Sequence, residues 1–307
     1  LMICDADGSR CLCGLFGYQG FGSGVSIEVQ AVATFQGSME RLDCKLIIRQ
    51  VWMDDKLFGP ETAPLAMSQE SIICIPGPWA DRSEFLRAII TQQPAGEFMF
   101  AGGVLAHPRG KDHVPLHFCD PYSEMREAFR IAGQGRLTDQ TIDAIDGHRG
   151  VAYLHFPVGW LEQRERLAKF TQVVQRAGGF AVKVESSGVA HEWDRWFSLL
   201  SGSTFDVYCS AVTLIGDADR YYSCGMHHFS LPECSLPRSI DIRDAADLMN
   251  RYNMYQIIER PQLASGHTFS LDPESPHFRL FLSPDSRHDA ANLFHNPHGV
   301  WDLTPEH

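Results

Sequence analysis

The stretch from residue 150 to residue 185 limits the fold more than any other. Residues 150–156 form an apolar run of strand length. Leu167, Phe170, Val174 and Ala177 then recur at three-four-three spacing, the period of one helix face. Gly178 and Gly179 stop that helix, and residues 180–185 form a second short apolar run. A strand, a helix and a strand in this order predict a crossover between parallel strands of one sheet.

The flanking sequence has a different character. Ile72, Ile73, Cys74 and Ile75 make a strand that Pro76-Gly77-Pro78 stops, and Asp81 with Glu84 three residues on reads as the capped start of a helix to about residue 93. Runs at 98–107 and 113–119, separated by Pro108-Arg109-Gly110-Lys111, predict a hairpin. Helices follow at 122–133, from Thr138 to before Gly147, at 191–200, and at 242–258 behind Ser239 or Asp241. Residues 205–215 and 221–229 read as another hairpin. Hairpins with only one crossover predict an α+β fold, with mixed, mostly antiparallel sheets packed against about five to six helices. A Pro- and Gly-containing stretch before residue 70 divides an N-terminal accessory segment, 1–69, from a main α+β domain, 70–307. The glycines from Gly14 to Gly24 match no phosphate-loop spacing and read as part of a flexible N-terminal segment.

Charge and cysteine usage narrow the function classes. The formal charge is −12, with five lysines and none after Lys183. Nucleic-acid binding rests on Lys and Arg neutralising phosphates, so a basic partner protein is the electrostatically easier ligand. Nine cysteines without a CxxC pair fit a reducing compartment. No run has the ~18 apolar residues of a membrane-spanning helix, and the start of the chain is a poor signal peptide. The expected location is the cytoplasm, with no membrane partner.

No common catalytic motif is present. The second half nevertheless gathers polar residues in unusual strings. Glu185 and His191 lie in KVESSGVAHEW, and Cys224, His227 and His228 in YYSCGMHHF. Glu259 and His267 follow, then His295 and His298 in FHNPHGVW. Zinc takes His, Cys and carboxylate ligands that must nearly touch. If 221–229 is one strand, His227 and His228 point to opposite faces, and Cys224 is ~13 Å along the strand from His228. The remaining metal candidate is His228, or His227 in its place, with His295 and His298, which flank a turn, and a carboxylate. Cys224 beside histidines is the candidate nucleophile; packing is the commoner use of such a thiol. Trp193 and Trp196, and Tyr221 and Tyr222, are candidate interface aromatics, although tryptophans more often fill core space.

The strings KVESSGVAHEW, YYSCGMHHFSLPE, IIERPQLASGHTF and FHNPHGVWDL, with SIICIPGPWADRSEF and REAFRIAGQGRLT upstream, resemble a bacterial family known as domain of unknown function 4261. The resemblance covers roughly residues 70–307. It carries no established reaction, so it assigns no catalytic residue. Such bacterial families often accompany secretion systems and polymorphic toxins, which implies an immunity or adaptor role. The leading expectation is therefore a non-enzymatic, intracellular protein-binding module, an antitoxin-like immunity protein or a secretion-associated adaptor, whose partner is a basic toxin or secretion component. The alternatives are a metal-dependent hydrolase built on the C-terminal histidines, and a structural subunit of a larger assembly.

Overall fold

In a computed structural model, the structure describes residues 70–92 and 96–306. The accessory segment expected at 1–69 lies outside them. The chain is α+β, and its described residues fall into two compact units, one within Ser68–Ala211 and one within Val212–His307. The stretch expected as one domain from residue 70 onward is thus divided after Ala211, a point that no Gly or Pro marks.

The first unit holds β1 (Glu70–Gly77), α1 (Arg82–Thr91), β2 (Met99–Ala101), β3 (Val104–His107), β4 (Asp112–Cys119), α2 (Met125–Gly133) and α3 (Asp139–Asp146). It continues through β5 (Gly150–Pro157), α4 (Trp160–Arg176), β6 (Val182–Val184), β7 (Val189–His191), α5 (Trp193–Ser201) and α6 (Thr204–Ala211). Its sheet has the order β7-β6-β1-β5-β4-β3-β2. β5 and β6 run in the same direction, as the crossover predicts, but both pair antiparallel with β1, which lies between them. The local signals behave as their chemistry requires. The Asp81 carboxylate accepts from the Ser83 and Glu84 amides, and Thr138 caps α3 by accepting from the Thr141 amide. The run at 98–107 is two strands rather than one, because Gly102 and Gly103, both at positive φ, turn the chain.

One core of this unit lies under α2 and α3. Met125, Phe129, Ile142 and Ile145 from α2 and α3 cover Cys74, Val151 and Ala190 on one sheet face. Elsewhere Trp160 of α4 meets Trp196 of α5 edge-to-face at 6.1 Å. Their indole N–H groups donate to Ser210 Oγ and Thr171 Oγ1.

The second unit holds β8 (Thr213–Gly216), β9 (Arg220–Cys224), β10 (Glu233–Pro237), α7 (Ile242–Glu259), β11 (Thr268–Phe269), β12 (Phe278–Ser283) and β13 (Val300–Pro305). The sheet order is β8-β9-β10-β13-β12-β11, and only β10 with β13 is parallel. One face lies under α7, where Ala245, Leu248, Met249 and Tyr252 meet Leu214, Cys234, Leu236, Leu280 and Leu303. Asp241 caps α7 by accepting from the Arg243 amide.

Two expectations are overturned here. Residues 205–211 belong to helix α6, not to a hairpin. The apolar run fits either period. Ser203 and Asp206 decide it, because each side chain accepts from the other's backbone N–H at the start of the helix. Strand β9 ends at Cys224, and His227 and His228 lie in the 3-10 helix Met226–Phe229. Gly225, at φ 124, breaks the strand.

Candidate functional site

Glu233 organises the polar interior of the second unit. It opens β10 and is buried. Its Oε2 accepts from Ser223 Oγ at 2.7 Å. Its Oε1 accepts from the Gly225 amide at 3.0 Å, the Met226 amide at 2.9 Å and Asn296 Nδ2 at 3.0 Å. The two amides are the orphan donors that start the 3-10 turn, so the carboxylate caps it. Burial by itself would raise the Glu233 carboxyl. The adjoining His227 ring and the donors from Ser223 and Asn296 outweigh burial and hold it below the usual carboxylate range.

The turn that Glu233 caps brings the two histidines together. Their rings lie 4.2 Å apart, centre to centre. The expectation that they face opposite sides of a sheet is therefore wrong, as is the extended spacing assumed between Cys224 and His228. His227 Nδ1 lies 3.6 Å from Glu233 Oε1, beyond hydrogen-bond range. Among the described residues, neither ring nitrogen of buried His227 has a hydrogen-bond partner. Burial, aided by His227, pushes His228 well below the usual histidine range, so it is neutral.

The FHNPHG segment closes the cluster through its asparagine. Asn296 is fully buried. Its Nδ2 also donates to the Leu231 carbonyl, its backbone amide donates to Asp285 Oδ2, and its Oδ1 accepts from the His298 amide. Arg287 pairs with Asp285 at 3.2 Å and lies over the Tyr222 ring at 4.1 Å. His295 is half-buried and its Nδ1 bonds the His288 carbonyl. His298 is exposed as a residue, but its ring is partly covered, and that partial burial, followed by the nearby His227, lowers its pKa. Cys224 is buried; burial and then the Glu233 charge push its thiol well above the usual range. A thiol held protonated in this way is a packing group, not the activated nucleophile considered from sequence.

The other candidates lie apart from this cluster. Glu259 and His267 are exposed, and His267 Nδ1 accepts from the Ala264 amide at 3.4 Å. Tyr221 and Tyr222 are buried, Tyr221 beneath Arg238 at 4.6 Å, so neither presents its ring to a partner. Trp196 is likewise buried, and half-buried Trp193 donates to the Gly179 carbonyl and stacks on Phe197. Glu185 and His191 belong to the first unit. His191 is buried and bonds the Ser210 carbonyl through Nε2 at 3.0 Å. Among the described residues, no three His, Cys, Asp or Glu side chains are grouped to hold one metal ion.

Glu185 heads a second polar group, with Lys183, Cys74 and Tyr153. Lys183 Nζ donates to Glu185 Oε2 at 2.7 Å, and both side chains are mostly buried. Cys74, Tyr153 and Lys183 are cross-strand partners on one sheet face. Burial alone would lower the Lys183 pKa; the Glu185 charge prevails and raises it. Burial, with Cys74 and Glu185 adding to it, pushes the Tyr153 phenol upward. This is a closed ion pair rather than an acid–base pair poised near neutrality. Glu185→Gln leaves the ammonium without its counter-charge. The expected loss is about 3 kcal/mol of stability, seen as a lower urea midpoint at unchanged slope.

The sequence reading missed Glu233, Asn296, Asp285, Arg287 and Lys183. A carboxylate opening the apolar strand ECSL, and an Asn before Pro in a turn, are the only local signals of the first two. Compared with family models, with curated proteins and with solved structures, the chain gives no match.

Proposed function

We propose that the chain is a non-enzymatic protein-binding module that engages a basic partner through its second unit. The observation that carries this reading is an open groove along α7. Met254, Tyr255 and Ile258 of the helix face Phe269 and Leu271, with Arg251 and Glu259 among its lining residues. Ile258 is 60% exposed and Leu271 38% exposed. Neighbouring large apolar side chains left in water mark interaction surfaces more often than isolated ones do. The formal charge of −12 supports a partner carrying Lys and Arg around an apolar anchor.

The polar cluster supports the non-enzymatic side of the reading. Glu233 spends its lone pairs on internal donors, so the carboxylate is not a free base, and among the described residues the metal-dependent hydrolase with zinc gains nothing from the donor geometry. An antitoxin-like immunity protein or a secretion-associated adaptor is the biological form that agrees with the family resemblance. The structural-subunit reading would need surfaces other than the buried tyrosines and Trp196.

The test is a photo-crosslinker at position 258, with a second one at Met99 of the other unit as control. One Lys- and Arg-rich protein from the native host is expected to crosslink at 258 only. Ile258→Asp should weaken that complex at least tenfold, and added salt should weaken it further. Ile258 is exposed, so the substitution should change stability by no more than about 0.5 kcal/mol. Equal capture by Ile258→Asp, or no adduct specific to position 258, overturns the reading.

A further inference from the structure

One face of the seven-stranded sheet in the first unit is only partly covered. Cys74 and Val151 lie under α2 and α3, where β1 ends and β5 begins. At the other end of that face Glu70 and His117 are exposed and His155 is half-buried. Ile73, Leu116 and Leu154, which alternate with them along the strands, are buried on the opposite face. The register brings the three polar side chains together. Tyr153 of β5 opposes His117 of β4, and Pro157 of β5 opposes Glu70 of β1. His155 lies between Tyr153 and Pro157 on the same face, so it is the diagonal neighbour of both His117 and Glu70.

The side chains meet as the register allows. His155 Nδ1 lies 2.9 Å from Glu70 Oε2, with the histidine side chain 15% exposed. A carboxylate only accepts, so Nδ1 carries the proton and the neutral ring keeps its lone pair on Nε2. The His117 ring lies 4.7 Å from the His155 ring, centre to centre, with 55° between their planes, so the two are not stacked. Among the described residues, none hydrogen-bonds the His117 ring. An imidazole bound to a metal at about 2.0–2.1 Å places its ring centre roughly 3.2 Å from the ion. Two such rings at about 90–110° then have centres about 4.5–5.2 Å apart. The separation of His117 from His155 falls inside that interval.

We propose that His117 and His155 bind one divalent transition-metal ion, with Glu70 as the positioning residue behind His155. Imidazole nitrogen suits zinc, nickel and copper, whereas magnesium and calcium take oxygen ligands. A carboxylate that accepts from the far nitrogen of a ligating histidine fixes its tautomer, holds the ring in place and makes the near nitrogen more basic. The three residues stand on adjacent strands in the middle of the sheet, so their spacing is set before any ion arrives. Among the described residues no third His, Cys, Asp or Glu completes a ligand set. Two side chains therefore hold the ion, and water or an anion supplies the remaining positions. An ion held this way is exchangeable rather than structural. The site is independent of the groove on the second unit.

The test titrates Ni(II), Zn(II) and Mg(II) calorimetrically into the full chain, purified without a histidine tag, near neutral pH. Ni(II) and Zn(II) are expected to bind with one equivalent that is lost in His117→Gln and in His155→Gln, and Mg(II) to give no such equivalent. Saturating Ni(II) should also raise the thermal midpoint of the wild type. Glu70→Gln keeps both ligands and should weaken Ni(II) binding about tenfold. His267→Gln, at an exposed histidine of the second unit, should bind as the wild type does. His117 is exposed, so His117→Gln should keep the metal-free midpoint, and it decides the matter if His155→Gln proves less stable. The proposal is overturned if His117→Gln takes up Ni(II) with wild-type affinity. It is also overturned if the wild type binds no more Ni(II) than the variant lacking both histidines.

Discussion

Acidification from about pH 6.5 toward pH 3 should remove roughly 5 kcal/mol of stability from the first unit through one residue, His191. The ring is buried, lies 5.9 Å from Trp196, and bonds the Ser210 carbonyl through Nε2. That bond requires Nε2 to carry the proton of a neutral imidazole. Burial, opposed by the Ser210 bond and assisted by Arg136 and Arg195, holds the pKa down at about 3 against an ordinary 6.5. The sign follows from proton uptake. Between these values the unfolded chain binds a proton that the folded one refuses. Stability is therefore complete above 6.5 and is lost as pH falls toward 3. Other groups push the same way, so the diagnostic is a difference. His191→Gln keeps a donor for Ser210 but cannot titrate. In urea unfolding followed by tryptophan fluorescence, the variant should be less stable than wild type near neutrality. Near about pH 4 it should match or exceed wild type. A gap between the two proteins that stays constant with pH would mean that His191 is not the titrating group.

The second large effect belongs to Glu233. Replacing it with Ala leaves Ser223 Oγ, two backbone amides and the Asn296 amide without their acceptor in a dry interior. Each buried unsatisfied donor costs about 1–3 kcal/mol, and relaxation or an entering water recovers part of the sum. The net loss expected is about 4 kcal/mol, against about 2 kcal/mol for Ser223→Ala, which removes the bond to Glu233 and the one that Ser223 Oγ accepts from the Cys234 amide. Urea denaturation of both variants measures this. A loss below about 1 kcal/mol for Glu233→Ala would show that the capped turn does not depend on its carboxylate. Because the Glu233 pKa is held below its ordinary value, its contribution is present at neutral pH and fades as acid protonates it, parallel to the loss at His191.

These two residues differ in how visible they were. His191 could be picked out as a histidine near a helix start, but nothing in its neighbours said that it ends a strand and faces Ser210. Glu233 carried only the weak signal of a carboxylate opening an apolar strand, since its partners Ser223 and Asn296 lie 10 and 63 residues away. The histidines that drew attention, His227, His228, His295 and His298, do lie around that carboxylate or its asparagine. What they share is a capped turn rather than a set of metal ligands.

What the sequence determined by itself was whatever depends on the nearest few residues. Asp81, Thr138 and Asp241 cap the helices expected from them, because a side-chain oxygen can reach an amide two or three residues on in any context. The three-four-three stripe of α4 and the antiparallel α+β class follow from period and turn chemistry in the same way. The tertiary structure alone decided which polar groups are sealed inside and paired. It broke the strand at Gly225, set Lys183 against Glu185, and left Arg136 Nε buried without a hydrogen-bond partner. Burial sets the energy of each such group, and burial is the work of strands and helices far away in the chain.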